Sequence, residues 1–176
     1  LSAQTAKLMD CYARLRDKPQ EFFAIDLRIG GQEVSWESAI LRLKWLNSIH
    51  LPLARAEAVA DTLDLIPLIY QQAATKCQRR MNSAVGNVTA AHIRCDGDGI
   101  TVTADTAVRP QEFDTASSTT TFTADLLIPI FLYIVTQAAI PDLLLIRHEM
   151  QISTHSGRAD YALATLDAAL EAIMSM

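Results

Sequence analysis

The stretch Thr121–Pro141, TFTADLLIPIFLYIVTQAAIP, constrains this fold more than any other. From Leu126 to Val135 every residue is apolar. A helix needs about 20 apolar residues to cross a bilayer, so this run is too short to span one and reads as a buried core helix. Its start is marked. Thr123 can cap it, and Asp125 falls in the first turn, where the helix dipole favours an anion.

At ~100° per residue, Asp125, Pro129, Tyr133 and Thr136 share one stripe of that helix, with Leu132 among them and Gln137 at the edge. Leu127, Ile128, Phe131, Ile134 and Val135 cover most of the rest. Pro129 has no N–H to donate to the Asp125 carbonyl, so the first turn is loosened where the carboxylate sits. Two readings follow. The carboxylate is held outward for a partner at the open end of a rigid helix, or it only complements the dipole beside a first-turn proline.

A chain of 176 residues can bury one sizeable core. Half its residues are hydrophobic but only 6% are aromatic, and Ala and Leu are abundant, a composition suited to packed helices. The net charge of −5 offers no basic stripe for phosphates, which argues against nucleic acid and equally against an anionic membrane. Without a secretory signal or a spanning segment, the chain reads as soluble, with no direct membrane insertion. Leu1 in place of an initiator Met reads as a piece cut from a longer protein. Cys11, Cys77 and Cys95 are odd in number and irregularly spaced, so they predict reduced thiols rather than a disulfide framework or a zinc site. The four histidines are as scattered.

Taken in order, Leu8, Cys11, Tyr12 and Leu15 recur at helical spacing and predict a first helix over 2–16. Pro19 to Phe23 reads as a new helix start, and Gly30-Gly31 breaks the chain. Ser35 is placed to cap a helix from Trp36 to about Ile49, with Ala39, Ile40, Leu43 and Leu46 on its apolar side. Pro52 opens a long helix to about Met81, with Pro67 predicting a kink. Glu57, Asp61 and Asp64 look like its solvated face.

Over 82–120 the pattern changes. VTAAHIRC and ITVTADTAV alternate around Asp96-Gly97-Asp98-Gly99, which predicts an inserted β-hairpin, and DTASSTTT after it reads as a polar linker. The DGDG turn fails as a calcium loop, since its final Glu position falls on Ala107. After the organising helix, Ile140-Pro141-Asp142 forms a corner, and Asp142 caps a helix to Ile152. The last helix begins near Arg158, with Leu163, Leu166, Leu170 and Ile173 or Met174 buried. Tyr161 lies nearly opposite that stripe, beside Thr165, Ala168 and Ala172, either packed on another helix or displayed for a partner. The result is a mainly α fold with 1–35 as an N-terminal helical segment and 36–176 as the principal domain.

Ordinary bond-making chemistry has no motif here. Nucleophile elbow, P-loop, dinucleotide fingerprint and HExxH are all missing, and His155, Ser156 and Asp160 are close only in sequence. No metal or cofactor is called for.

TADLLIPIFLYIVTQAAIPDLL followed by GRADYALATLDAALEAI resembles the catalytic half of the Vps-nine domain family. Asp125 and Pro129 match the family's D-x-x-x-P core, and Tyr133 its aromatic in the hydrophobic run. Pro141-Asp142-Leu143 matches its corner and Tyr161 the tyrosine of its last helix. Pro52 with Arg55 looks like the family's P-x-x-K entry. The similarity is good over about 124–173, weak over 36–70 and absent before that. Three departures stand out. Ala164 replaces a frequent Thr, with Thr165 one place late. Ile140 and Asp142 alter the corner, and 82–120 is longer than the usual connector.

The resemblance implies a layered helical bundle and a guanine nucleotide exchange factor for Rab GTPases of the Rab-five subfamily. It implies a preference for the nucleotide-free GTPase, no cofactor, and a cytoplasmic protein peripherally associated with early endosomes. Asp125 would be the acidic finger and Tyr161 a hydrogen-bond donor to the displaced switch. Pro129, Leu132, Tyr133, Thr136 and Thr165 would contact the GTPase. The alternative is a Vps-nine-like module that binds a GTPase or another protein without exchange.

Overall fold

A computed structural model describes residues 2–90, 123–152 and 157–176. The described residues form six α-helices: α1 (Ser2–Leu15), α2 (Glu37–Lys44), α3 (Pro52–Ala90), α4 (Ala124–Ala138), α5 (Leu143–Ile152) and α6 (Arg158–Ser175). Two 3-10 turns, Gln20–Phe23 and Trp45–Ser48, and a two-stranded antiparallel hairpin, β1 (Arg28–Ile29) and β2 (Gln32–Glu33), complete them. Residues Leu1–Cys77 with Phe122–Met176 form one compact unit, and Gln78–Thr121 group as a second.

The organising helix is the hub of the first unit. α4 packs on α2, α6, α1 and the 3-10 turn Gln20–Phe23, while α6 also receives α1 and α5. Ile130, Phe131, Ile134 and Val135 are essentially inaccessible. Burial of each such side chain contributes about 1.5–3 kcal/mol, which explains why so apolar a run is held at the centre. Pro129 stands inside α4 and Pro67 inside α3, and neither ends its helix. Ala139 closes α4 in the left-handed region (φ 47°), its N–H donating to the Val135 carbonyl at 3.1 Å.

Three sequence expectations are corrected. Ser35 does not cap α2: Trp36 holds that position, and the regular helix ends at Lys44 before tightening into the 3-10 turn Trp45–Ser48. The physical cause is Trp36 itself, drawn inward to 2% exposure with its ring N–H donating to Gln20 Oε1 at 2.9 Å. Secondly, α3 continues past Met81 to Ala90, so Val88–Ala90 are helical and not the start of a strand. Adding a residue to an existing helix gains a hydrogen bond without a new nucleus, and the β-branched residues there cost only tenths of a kcal/mol each, roughly, by intrinsic propensity. The remainder of the predicted hairpin, from residue 91 to 120, lies outside the described residues. Thirdly, the hairpin that is described sits at Gly30-Gly31, where the sequence suggested only a break.

That hairpin turn depends on Gly30. Its φ is +60°, and a Cβ there would stand 2.7 Å from Cys77 Sγ. Gly31 (φ +78°) has open space around it. Gly31→Ala therefore costs only the left-handed conformation, about 1–2 kcal/mol. Gly30→Ala costs that and the displacement of Cys77, so its denaturation midpoint should fall clearly below that of Gly31→Ala. Equal midpoints would show that the sulfur moves aside freely.

Candidate functional site

The open face of α4 begins at its N-terminus. Thr123 occupies the N-cap in extended conformation, and its carbonyl accepts the Leu126 and Leu127 N–H groups at 3.1 and 3.0 Å. Its side chain makes no capping hydrogen bond, so the predicted cap holds through the backbone alone. Asp125 is exposed in the first turn. Because Pro129 has no N–H, the Asp125 carbonyl lacks its helical donor. A carboxylate here is favoured by the helix dipole and is turned to solvent.

From Asp125 the accessible face runs through half-buried Pro129, Tyr133 and Gln137. The Tyr133 ring meets Phe23 edge-on, with centroids 5.4 Å apart. Burial pushes the Tyr133 phenol above its usual pKa, and the nearby Glu33 charge adds to the shift, so the group stays a neutral donor. Gln137 Nε2 donates to the Arg16 carbonyl at 2.7 Å and ties the far end of this face to the chain leaving α1.

Three residues expected on the contact surface lie beneath it. Leu132 is buried, Thr136 is fully buried, and Thr165 is 6% exposed. Both hydroxyls are satisfied inside their own helices: Thr136 Oγ1 donates to the Leu132 carbonyl at 2.9 Å and Thr165 Oγ1 to the Tyr161 carbonyl at 2.8 Å. The Leu132 and Thr136 side of the stripe faces inward. α4 is covered by several neighbours at once, and its open side is turned toward Gln137 instead.

Tyr161 resolves the other way. It is 56% exposed in the first turn of α6, a helix that packs directly on α4, so it is displayed and not packed away. Ala164 and Ala168 beside it are exposed as well. Asp61 and Asp64, read as a solvated face, are engaged: Arg158 binds both, and Arg42 binds Asp61. Arg55, from the P-x-x-R entry to α3, pairs with Glu149 of α5, and its Nε donates to the Ile49 carbonyl at 2.6 Å. Gln20, Phe23 and Arg158 escaped the sequence reading because each acts through a partner distant in the chain. Nothing in the run Pro19-Gln20-Glu21-Phe22-Phe23 sets Gln20 apart.

The Arg158 hydrogen bond holds the Asp61 carboxyl below the usual carboxylate range, opposed by partial desolvation and assisted by Arg42. A lowered folded-state value means that the pair stabilises the fold above the ordinary Asp pKa, about 3.9, and that the contribution disappears as pH falls through the lowered value. Asp61→Asn should therefore melt below wild type at neutral pH, with the two curves converging in acid. A difference that stayed constant as the pH fell far into the acid range would remove the electrostatic account.

Among the described residues no group of three or more His, Cys, Asp or Glu side chains could hold a metal ion, and no helix is long and apolar enough to cross a membrane. The helical core thus presents an exposed Asp125 at the start of α4 and an exposed Tyr161 on α6, the helix packed against it. The family model of the Vacuolar sorting protein 9 (VPS9) domain matches residues 36–176, most of the chain, and the chain belongs to that family. Neither the curated proteins nor the solved structures compared with it gave a match. Membership carries guanine nucleotide exchange of the Rab type as the general function, and a small GTPase as partner.

Proposed function

We propose that this domain releases GDP from a Rab-five-subfamily GTPase, with Asp125 as the acidic finger, in the cytoplasm at early endosomes. The observation that carries the reading is the exposed Asp125 at the start of the core helix, on the same face as Pro129 and Tyr133. A GTPase holds its nucleotide through a P-loop lysine and magnesium on the phosphates. A carboxylate brought to that site competes for the lysine and repels the phosphates, so the factor binds the nucleotide-free GTPase in preference to the loaded one. Pro129 and Tyr133 seat the switch regions, over a floor of Leu132, Thr136 and Thr165. Magnesium opposes the reaction.

The test is release of a fluorescent GDP analogue from a panel of Rab GTPases, with Rab-five members accelerated and the rest not. Acceleration confined to other Rabs would refute the subfamily assignment. In this reading Tyr161 donates a hydrogen bond to the displaced switch. Tyr161→Phe removes one hydrogen bond of about 1–1.5 kcal/mol and should slow release roughly tenfold, with no change in melting temperature. An unchanged rate would take Tyr161 out of the mechanism.

A second reading has its own observation. Ala164 stands exposed where the family often has Thr, and the adjacent Thr165 hydroxyl is buried against the Tyr161 carbonyl. A hydroxyl is therefore missing from the docking face, which favours a module that binds the GTPase without accelerating release. A stable complex with nucleotide-free GTPase and an unaltered release rate would identify it.

A further inference from the structure

α6 opens without a side-chain cap. Gly157 holds the N-cap position and offers only its carbonyl, which accepts the Tyr161 N–H at 3.1 Å. The turn that carries Tyr161 is fastened from outside the helix instead. Arg158 sends Nε to Asp64 Oδ2 at 3.0 Å and Nη2 to Asp61 Oδ1 at 2.7 Å, and Nη2 also reaches Asp64. Asp61 takes a second guanidinium from Arg42, which lies 4.8 Å over the Trp45 ring. Two arginines and two aspartates thus join α2, α3 and the first turn of α6.

Arg158 and Tyr161 are three residues apart, and so neighbours on one helix surface. The Tyr161 side chain makes no hydrogen bond or ring contact among the described residues, so its place is set by the turn beneath it.

We propose that Arg158 is the positioning residue for Tyr161, clamping the first turn of α6 to Asp61 and Asp64 so that the phenol meets the GTPase at a fixed place. This rests on the exchange reading above. Exposed ion pairs add little to global stability and are screened by salt. Breaking this one should therefore loosen a single turn and leave the domain folded.

The test combines Arg158→Gln, the double variant Asp61→Asn/Asp64→Asn, and Arg158→Gln in a Tyr161→Ala background. A misplaced contact group can cost up to about 100-fold, and for a loosened turn we expect roughly a fivefold fall in the saturating release rate. That fall should appear in Arg158→Gln and in the double aspartate variant, with little change in KM and only the small drop in melting temperature expected of exposed ion pairs. In the Tyr161→Ala background Arg158→Gln should add nothing further. A full loss persisting in that background, or wild-type rates in the double aspartate variant, would overturn the clamp and make Arg158 a direct contact. Amide hydrogen exchange decides the matter without reference to GTPase activity. Faster exchange confined to the amides of Tyr161 and Ala162 in Arg158→Gln supports the clamp, and unaltered protection there overturns it.

Discussion

Replacing Asp125 by alanine should lower catalysed nucleotide release about 100-fold while the domain remains folded. The size follows from what the carboxylate is asked to do. Removing one preorganised charge or donor from a reacting site costs about 2.7–4 kcal/mol, and each 1.36 kcal/mol is tenfold in rate. Stability has much less to lose. Asp125 is exposed, so the change forfeits only its interaction with the helix dipole, about 0.3–1 kcal/mol. At roughly 2–4 °C per kcal/mol for a domain of this size, the melting temperature should fall by no more than a few degrees.

Asp125→Asn sharpens the test. It keeps the shape and the ability to accept a hydrogen bond, but it cannot compete as an anion for the GTPase lysine. Release of a labelled GDP analogue should be as slow with Asn as with Ala, and raising magnesium should slow wild type further. If Asn retained the wild-type rate, charge would have no part in the reaction and the acidic-finger account would fail. A loss in Ala accompanied by a collapse of the melting temperature would place Asp125 in the fold instead.

Why the outward side of Asp125 was legible in the sequence, while the burial of Leu132, Thr136 and Thr165 was not, is a matter of range. Asp125, Pro129 and Tyr133 belong to one helix, and a 3.6-residue repeat puts them on a common side whatever surrounds it. The sign of exposure for Thr136 and Gln137 is set by something else. α4 is packed by α1, α2, α6 and the turn Gln20–Phe23, and only that arrangement says which edge of the stripe is covered. The same distinction separates Tyr161, whose side of α6 was legible though its exposure was not, from Arg158, whose partners lie 94 and 97 positions away in the chain. Helix ends were harder than helices. Trp36 was expected as an apolar opening residue, but its hydrogen bond to Gln20 moved the cap off Ser35. Local alternation over Val88–Ala90 was overridden by continuation of a helix already formed.

Trp36→Ala should be the most damaging single change to the fold. Trp36 is the largest of the fully buried side chains, and truncating such a residue costs about 3–5 kcal/mol. A second loss is added. The Trp36 ring N–H donates to Gln20 Oε1 at 2.9 Å, and Gln20 Nε2 donates to the Val34 carbonyl at 2.9 Å, both buried. Without the indole, the glutamine oxygen is left unpaired inside the protein, at about 1–3 kcal/mol. Domains of this size are stable by only about 5–15 kcal/mol, so the variant stands near the limit of folding, with a melting temperature lower by about 10 °C or more. Trp36→Phe isolates the polar part, since it keeps most of the apolar volume and removes the donor. Adding Gln20→Leu to Trp36→Phe should recover little of the loss, because it removes the unpaired amide oxygen only by stranding the Val34 carbonyl. If Trp36→Phe melted with wild type, the Gln20 hydrogen bond would be dispensable. The consequence reaches the proposed docking face. Gln20 opens the turn whose Phe23 supports the Tyr133 ring, so Trp36→Phe should weaken GTPase binding in parallel with stability, whereas Asp125→Asn should slow release with stability almost untouched. Measured together, the two variants separate a wall of the site from the group that acts within it.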